Sequence, residues 1–397
     1  MEKREFLEKY IADRHNTNCS KWDGLKEKFG EDGLLPMWVA DMEFGVAPEI
    51  LDELRKRIDR RIFGYTGVYT HDYYNSFSKW CKEHYDWSFP EEELCFTPGI
   101  IPALYQLTET LCNKDEKVLM NTPAYGYFLH SAEYAGVGVL QSPLKKKPDG
   151  TFELDYENFE QQCANPQCKM VFWCNPQNPT GRMWTEEELR RIAGIVEKYN
   201  LWIVSDEIHC DLIRCGRKHI PMAKVMTNYP KLITCMAPSK TFNLAGLAFS
   251  NIIIRNPVLR ERFKERDKLF GMVNPMSLTA AKAAYDKGGA WHEELKQYLD
   301  ANFAFVKDFF DKNLPDAVMY IPEATYLAWV DLSKCLPDVE DLPDFFANKA
   351  GVLLEGGNSL FVGNAAGYIR LNLAMPRSIL KTGLERMRDT INAHNKH

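Results

Sequence analysis

The chain has 397 residues, 45% of them hydrophobic and 26% charged, which is the balance of a folded globular protein with two or three domains rather than one small core. The net charge is −6 with both signs mixed along the chain, and no basic arm or stripe stands out, so no nucleic-acid partner is expected. No apolar run reaches the roughly 18 residues of a membrane span, and the charged N-terminal stretch MEKREFLEKYIADRHNT lacks an apolar signal core, so a cytoplasmic protein is expected.

Eleven cysteines, an odd number, form no CxxC pair. Cys163 with Cys168, or Cys210 with Cys215, could be read as metal or disulfide pairs, but reduced thiols packed in a cytosolic protein fit better. The nine histidines form no HExxH or comparable set, so no metal is expected.

In chain order, short apolar runs alternate with helical patterns from about residue 95 to 255. The strand candidates are Lys117–Asn121, Val137–Gln141, Met170–Cys174, Leu201–Ser205, Leu232–Met236 and Asn251–Arg255. Helical patterns cover Ile101–Cys112, Tyr125–Tyr134 and Thr185–Tyr199. Apolar strands without in/out alternation are buried on both faces, and strands alternating with helices predict a mostly parallel α/β sheet. Ligands of such sheets sit beyond the carboxyl ends of the strands. After about residue 290 the pattern changes. A long helix over Trp291–Asn313 leads to strands Val318–Ile321 and Tyr326–Asp331, a helix, a strand Tyr368–Leu373 and a last helix from Arg377. This reads as a smaller α+β domain.

Three segments follow strand ends and carry chemistry. The first is Asn175-Pro176-Gln177-Asn178-Pro179-Thr180-Gly181-Arg182, in which two Asn-Pro steps and a Thr-Gly set an extended path and a tight turn. The second is Asp206-Glu207-Ile208-His209. A carboxylate at a strand's C-terminal end suits a protonated ring nitrogen, although a solvated charge pair is the plainer alternative. His209 is placed to orient that carboxylate or to bond near a ring oxygen. The third is Ser239-Lys240-Thr241-Phe242-Asn243. A lysine there is usually a surface charge, but a Schiff-base lysine needs a desolvated pocket that lowers its pKa. Upstream, Thr97-Pro98-Gly99-Ile100-Ile101-Pro102 is a glycine turn opening a helix; free N–H groups at such a helix start are able to bind phosphate, although in isolation an ordinary glycine turn is the plainer reading. Tyr125, in TPAYGYF, is placed to lay its ring on a flat cofactor.

Taken together, TPGIIPAL, TPAYGYF, NPQNPTGR, DEIH, SKTFNLAGL and YIRLNLAMPR resemble fold-type-I enzymes that use pyridoxal 5'-phosphate. KWD at Lys21–Asp23, MWVADMEF at Met37–Phe44 and GYT at Gly64–Thr66 narrow the resemblance to the MalY/PatB family of cystathionine β-lyase-like C–S lyases. It implies a large domain, residues 46–290, with a mostly parallel seven-stranded sheet sandwiched by helices. A smaller α+β domain would come from residues 291–397, joined by residues 1–45. By the same resemblance, Lys240 holds the cofactor and Asp206 pairs with its ring nitrogen. Asn178 contacts the ring oxygen, Tyr125 stacks on the ring and His209 lies beside it. The amides of Ile100 and Ile101, with Ser239, hold the phosphate, and Arg370 clamps the substrate carboxylate with help from Asn178 and Tyr125. Tyr65 would reach the phosphate in a neighbouring copy, which implies a homodimer.

The chain also departs from that pattern. Ala237 stands where a phosphate-binding serine is usual, Ala248 where aminotransferases carry an arginine, and Ala324 where glycine is common. The segment LEGGNSLFVGNAAGY before Arg370 lacks the usual Pro-Gly start. The expected activity is β-elimination from cysteine thioethers: cystathionine to homocysteine, pyruvate and ammonia, or cysteine to sulfide. An aminotransferase using the same lysine is the alternative, because one fold hosts both. A regulatory partner that only binds the cofactor is a third reading, disfavoured by the retention of a lysine poised as a base.

Overall fold

The computed structural model describes residues 4–25, 27, 33–268 and 271–396. Seven strands form its main sheet: β1 (Leu94–Thr97), β2 (Lys117–Thr122), β3 (Gly138–Pro143), β4 (Cys168–Cys174), β5 (Trp202–Asp206), β6 (Leu232–Met236) and β7 (Ser250–Ile254). Their order across the sheet is β1-β7-β6-β5-β4-β2-β3. Only β7 runs against its neighbours, pairing antiparallel with β1 and β6, while the remaining pairs are parallel. Every residue of β6 and β7 is buried, as strands covered on both faces require.

The expected strands and helices are present with ends shifted by one or two residues: the helices run Ile100–Leu111, Gly126–Ala135 and Glu186–Lys198. The sequence reading omitted β1. Its four residues, LCFT, are squeezed between the acidic turn Glu91–Glu93 and the Pro98-Gly99 turn, too short a run to show any period. Four parallel strands deliver the motifs to one edge. Thr97 ends β1, Cys174 ends β4, Asp206 ends β5, and Met236 ends β6 just before the short helix Pro238–Thr241 that carries Lys240.

A second, antiparallel sheet contains β8 (Val318–Met319), β9 (Leu327–Asp331), β10 (Glu355–Gly356) and β11 (Tyr368–Asn372) in the order β8-β9-β11-β10. The predicted strand at Val318–Ile321 is cut to two residues, and β10 lies in a glycine-rich segment with no strand pattern. The 25-residue helix Gly289–Asn313 links the two regions. The N-terminal segment reaches both. Leu35–Pro36 pairs in parallel with Val352–Leu353, and Met37 packs into the apolar cluster of Phe303, Val330 and Leu371. Phe6 and Phe44 pack instead against Tyr298, with ring centroids 5.2 and 5.3 Å away. No described helix is long and apolar enough to cross a membrane.

The turn after β4 is fixed by its own side chains. Gln177 Nε2 donates to the Pro123 carbonyl at 2.7 Å, and its Oε1 accepts from the Thr180 amide at 2.9 Å. Both Asn-Pro bonds are cis and Gly181 has φ +70°, with a would-be Cβ 2.6 Å from Pro322 and 2.9 Å from the Ala324 carbonyl. Only glycine fits there. The following helix starts with a capping box: Thr185 Oγ1 accepts from the Glu188 amide at 3.2 Å, and Glu188 accepts from the Thr185 amide at 2.9 Å. Thr185→Ala therefore should lower the unfolding midpoint by the equivalent of about 1 kcal/mol; a midpoint equal to wild type in chemical denaturation would show that this cap is not formed in solution.

Candidate functional site

Beyond the carboxyl edge of the main sheet lies a cavity of about 530 Å³. Its lining includes Gly99, Ile100, Ile101, Tyr125, Asn178, Asp206, His209, Ser239, Lys240 and Arg370. Nine of the ten residues singled out from the sequence therefore meet at one place. The tenth, Tyr65, is 94% exposed and stands away from this cavity.

Asp206 comes from the last position of β5. Its side chain is buried, and Oδ1 accepts one hydrogen bond, 3.1 Å from the Ile208 amide. Among the described residues no salt bridge reaches it. Burial raises its pKa to about 7, with Lys240 pulling weakly the other way. The neighbouring Glu207 does not share the cavity. It is wholly buried on the other side of the strand, accepting from Ser205 Oγ at 2.8 Å and the Met222 amide at 2.9 Å, with His219 Nε2 at 2.6 Å. Alternation along the strand thus splits the acidic pair into one structural and one cavity-facing carboxylate. His209 lines the cavity, and among the described residues it makes no hydrogen bond to Asp206. Its Nδ1 is buried without a partner, and burial pushes its pKa down to about 3, so the ring is neutral.

Lys240 donates from Nζ to the Ala40 carbonyl at 2.6 Å. Burial pulls its pKa down to about 8, Arg370 adds to the effect, and Asp41 and Asp206 oppose it. Two neighbours anchor its helix. Thr241 Oγ1 donates to Asp211 at 2.8 Å, and Asp211 also accepts from Trp80 Nε1 at 3.0 Å and from Tyr85. Asn243 clamps the segment bearing Ala40: its Oδ1 accepts from the Met42 amide at 3.0 Å and its Nδ2 donates to the Phe44 carbonyl at 2.9 Å.

Arg370, on β11, is buried, and burial lowers its pKa to about 10. Nη1 donates to Asn178 Oδ1 at 3.2 Å, Nη2 pairs with Glu355, and Nε has no partner. Phe361 lies 5.1 Å from the guanidinium and pairs across a short two-stranded ribbon with Tyr125.

The sequence reading gave no role to the Trp38–Ala40 wall of the cavity, nor to Tyr326, Asn372 and Lys21 behind it. The Ala40 carbonyl also accepts from Tyr326 Oη at 2.8 Å, and Asn372 Nδ2 donates to the carbonyls of Val39 and Asp41 at 2.6 Å each. Lys21 is wholly buried, with Nζ 2.6 Å from Glu43 and 3.4 Å from Asp41. The motifs KWD and MWVADMEF were the available signal, since both halves of this ion network lie in them.

This arrangement can be set beside known proteins. The sequence model for aminotransferase class I and II matches residues 36–387. The chain belongs to that family. It is 36% identical over 382 residues to the cystathionine beta-lyase PatB of Bacillus subtilis, covering 95% of this chain and 97% of that protein. It is 32% identical to the protein MalY of Escherichia coli, covering 96% and 98%. A PLP-bound C-S lyase from Staphylococcus hominis superposes with a TM-score of 0.92 at 42% identity, over 96% of this chain and 97% of that one. The mixed, mostly parallel sheet is therefore the fold-type-I architecture that the motifs implied.

The depressed pKa of Lys240 is directly measurable. In the free chain, trace acylation followed by peptide mass spectrometry should label Lys240 along a titration centred near pH 8. Solvated lysines should follow the ordinary curve near about 10.4. Labelling of Lys240 on that ordinary curve would mean that its amine is solvated rather than buried.

Proposed function

We propose that the chain is a pyridoxal-phosphate-dependent carbon–sulfur β-lyase that acts on cysteine thioethers such as cystathionine. The observation that carries the reading is one cavity lined jointly by a lysine of lowered pKa, a buried carboxylate without a cation, and a buried arginine. The lyase names of the relatives select the reaction within the family.

The residues fit the cofactor. Asp206 is a buried acid whose pKa burial has raised, and a ring N–H⁺ is the partner that would restore its charge. The helix Ile100–Leu111 presents its first amides at the cavity, the arrangement that binds a phosphate, with Ser239 beside it. Tyr125 offers a ring face, Asn178 and His209 offer polar groups for the ring oxygen side, and Lys240 offers the amine for covalent attachment. Ala237 brings no hydroxyl, which leaves more of the phosphate to the amides and Ser239. When bound, pyridoxal phosphate supplies the carbonyl that joins the substrate amine and the ring that takes up the electron pair left at Cα.

The chain's own groups do the rest. Arg370 holds the substrate α-carboxylate, with Asn178 fixing one side of the guanidinium, and so orients the Cα–H bond. Lys240, as free amine, takes the Cα proton; a pKa near 8 leaves it basic yet partly unprotonated at neutral pH. The Cβ–S bond then breaks with the electron pair on sulfur, which leaves as a thiolate and is protonated. Addition of water to the remaining three-carbon unit yields pyruvate and ammonia.

Tyr65 is assigned to the site of a second copy. Its 94% exposure, with Ile58, Ile62 and Phe63 half or more exposed around it, suits a face covered by a partner chain in a homodimer. Residues 46–290 are read as the cofactor-binding domain, and residues 1–45 with 291–397 as the smaller one. The pairing of Leu35–Pro36 with Val352–Leu353 supports that grouping. A cytoplasmic setting suits eleven free cysteines.

Holoenzyme supplied with cystathionine, cysteine or an S-alkylcysteine, and no 2-oxo acid, should release pyruvate, ammonia and thiol in equal amounts. Lys240→Ala should lower that rate by at least about 100-fold. If the thioethers yield no thiol while alanine turns over repeatedly once a 2-oxo acid is added, the chain is an aminotransferase instead.

A further inference from the structure

One charged group in the cavity has no part in the reaction described above. Glu355 stands on β10, directly opposite Arg370 on β11 in the antiparallel register. Its carboxylate pairs with Arg370 Nη2, its side chain is 18% exposed, and it lines the same cavity as Lys240 and Asp206. Strand register holds the pair together, since directly opposed side chains in an antiparallel ladder are neighbours whatever their rotamers. Gly356 follows, with a would-be Cβ 2.4 Å from the Tyr368 carbonyl, so β10 lies tight against β11 and Glu355 cannot retreat with its backbone.

Charge makes this position consequential. Arg370 has Asn178 on Nη1 and Glu355 on Nη2, so one acid already stands against the guanidinium before any amino acid arrives. An incoming α-carboxylate that takes Arg370 leaves two carboxylates on one buried cation. Glu355 must then give up part of its pairing while staying in the cavity wall. A buried carboxylate stripped of its cation is costly, and that cost falls if the ligand brings a cation of its own. The other charged groups facing the cavity do not relieve it: Asp206 is an acid, and Lys240 is committed to the reacting carbon.

We propose that Glu355 is a specificity-determining residue, selecting thioethers whose distal arm carries a cation over those whose arm is neutral. The proposal rests on the lyase reading for its substrate class, and on Glu355 and Arg370 alone for its selectivity. S-(2-aminoethyl)cysteine, with a distal ammonium alone, falls in the favoured class and short S-alkylcysteines do not; cystathionine, whose distal ammonium is accompanied by a carboxylate, lies between them.

A matched pair of ligands tests it. S-(2-aminoethyl)-L-cysteine and S-propyl-L-cysteine have arms of equal length and differ in an ammonium against a methyl. Each is titrated into holoenzyme, with Kd read from the absorbance of the bound cofactor, a readout that needs no C–S cleavage. Wild type should bind the aminoethyl ligand more tightly. Glu355→Gln should shrink the ratio of the two affinities at least tenfold, tightening the propyl ligand as competition for Arg370 is relieved. Glu355→Asp, which keeps the charge, should retain most of the preference. If Glu355→Gln leaves the ratio unchanged, or weakens both ligands equally, Glu355 only props Arg370 and the proposal is wrong. Pyruvate release is measured in parallel. Selectivity in binding without pyruvate overturns the lyase reading and leaves Glu355's role standing; pyruvate with an unchanged ratio does the reverse.

Discussion

A carboxylate buried without a cation is the constraint around which this molecule is organised. Asp206 sits buried at the end of a central parallel strand, where among the described residues no salt bridge reaches it and Lys240 compensates its charge only weakly. Folding tolerates such a group because it can take up a proton, and its raised pKa is the sign of that. The cost makes sense if a cationic ring nitrogen completes the site. The residue just past the strand shows the contrast: Glu207 is also buried but is satisfied by His219, Ser205 and the Met222 amide. One acid is therefore committed to internal hydrogen bonds, and the other is left for a ligand.

The second organising feature is the segment Trp38–Phe44. It belongs to no strand or helix of its own, so many of its backbone groups are satisfied by side chains from elsewhere, beside a few backbone bonds such as that from the Glu43 amide to the Ala374 carbonyl. Asn372 comes from the smaller sheet, Tyr326 from just before β9, Asn243 from just beyond Lys240, and Lys21 with Arg14 from the N-terminal region. The Ala40 carbonyl that these groups position is the one that accepts from Lys240. The amine is thus held by a loop tied to every major part of the chain, which couples its orientation to how the two sheets sit together. Removing Glu43 would leave the buried Lys21 with only its longer contact to Asp41, a costly lesion distant in sequence from the lysine it supports.

Much of this was legible in the sequence. Parallel strands covered on both faces announce themselves as apolar runs, and their ends carry Asn178, Asp206 and Lys240 at recognisable spacings. What stayed hidden was short or non-local. The strand Leu94–Thr97 and the pair Glu355–Gly356 are too brief for periodicity, and they form because neighbouring strands offer them hydrogen bonds. Lys21 gives no local hint of burial, since its compensation comes from residues about twenty positions away. His209 was open to two roles, orienting Asp206 or bonding near a ring oxygen, and sequence alone did not show that its Nδ1 would face the site without a partner. Glu355 was noticed only as part of an unusual segment, because its opposition to Arg370 depends on register between two strands.

The account stands on Lys240 being the residue that carries the cofactor. Holoenzyme reduced with borohydride, digested and mapped by mass spectrometry gives the most direct answer. The pyridoxyl adduct should appear on the peptide containing Ser239-Lys240-Thr241, at one per chain. An adduct on any other lysine, or none at all in coloured protein, would contradict it.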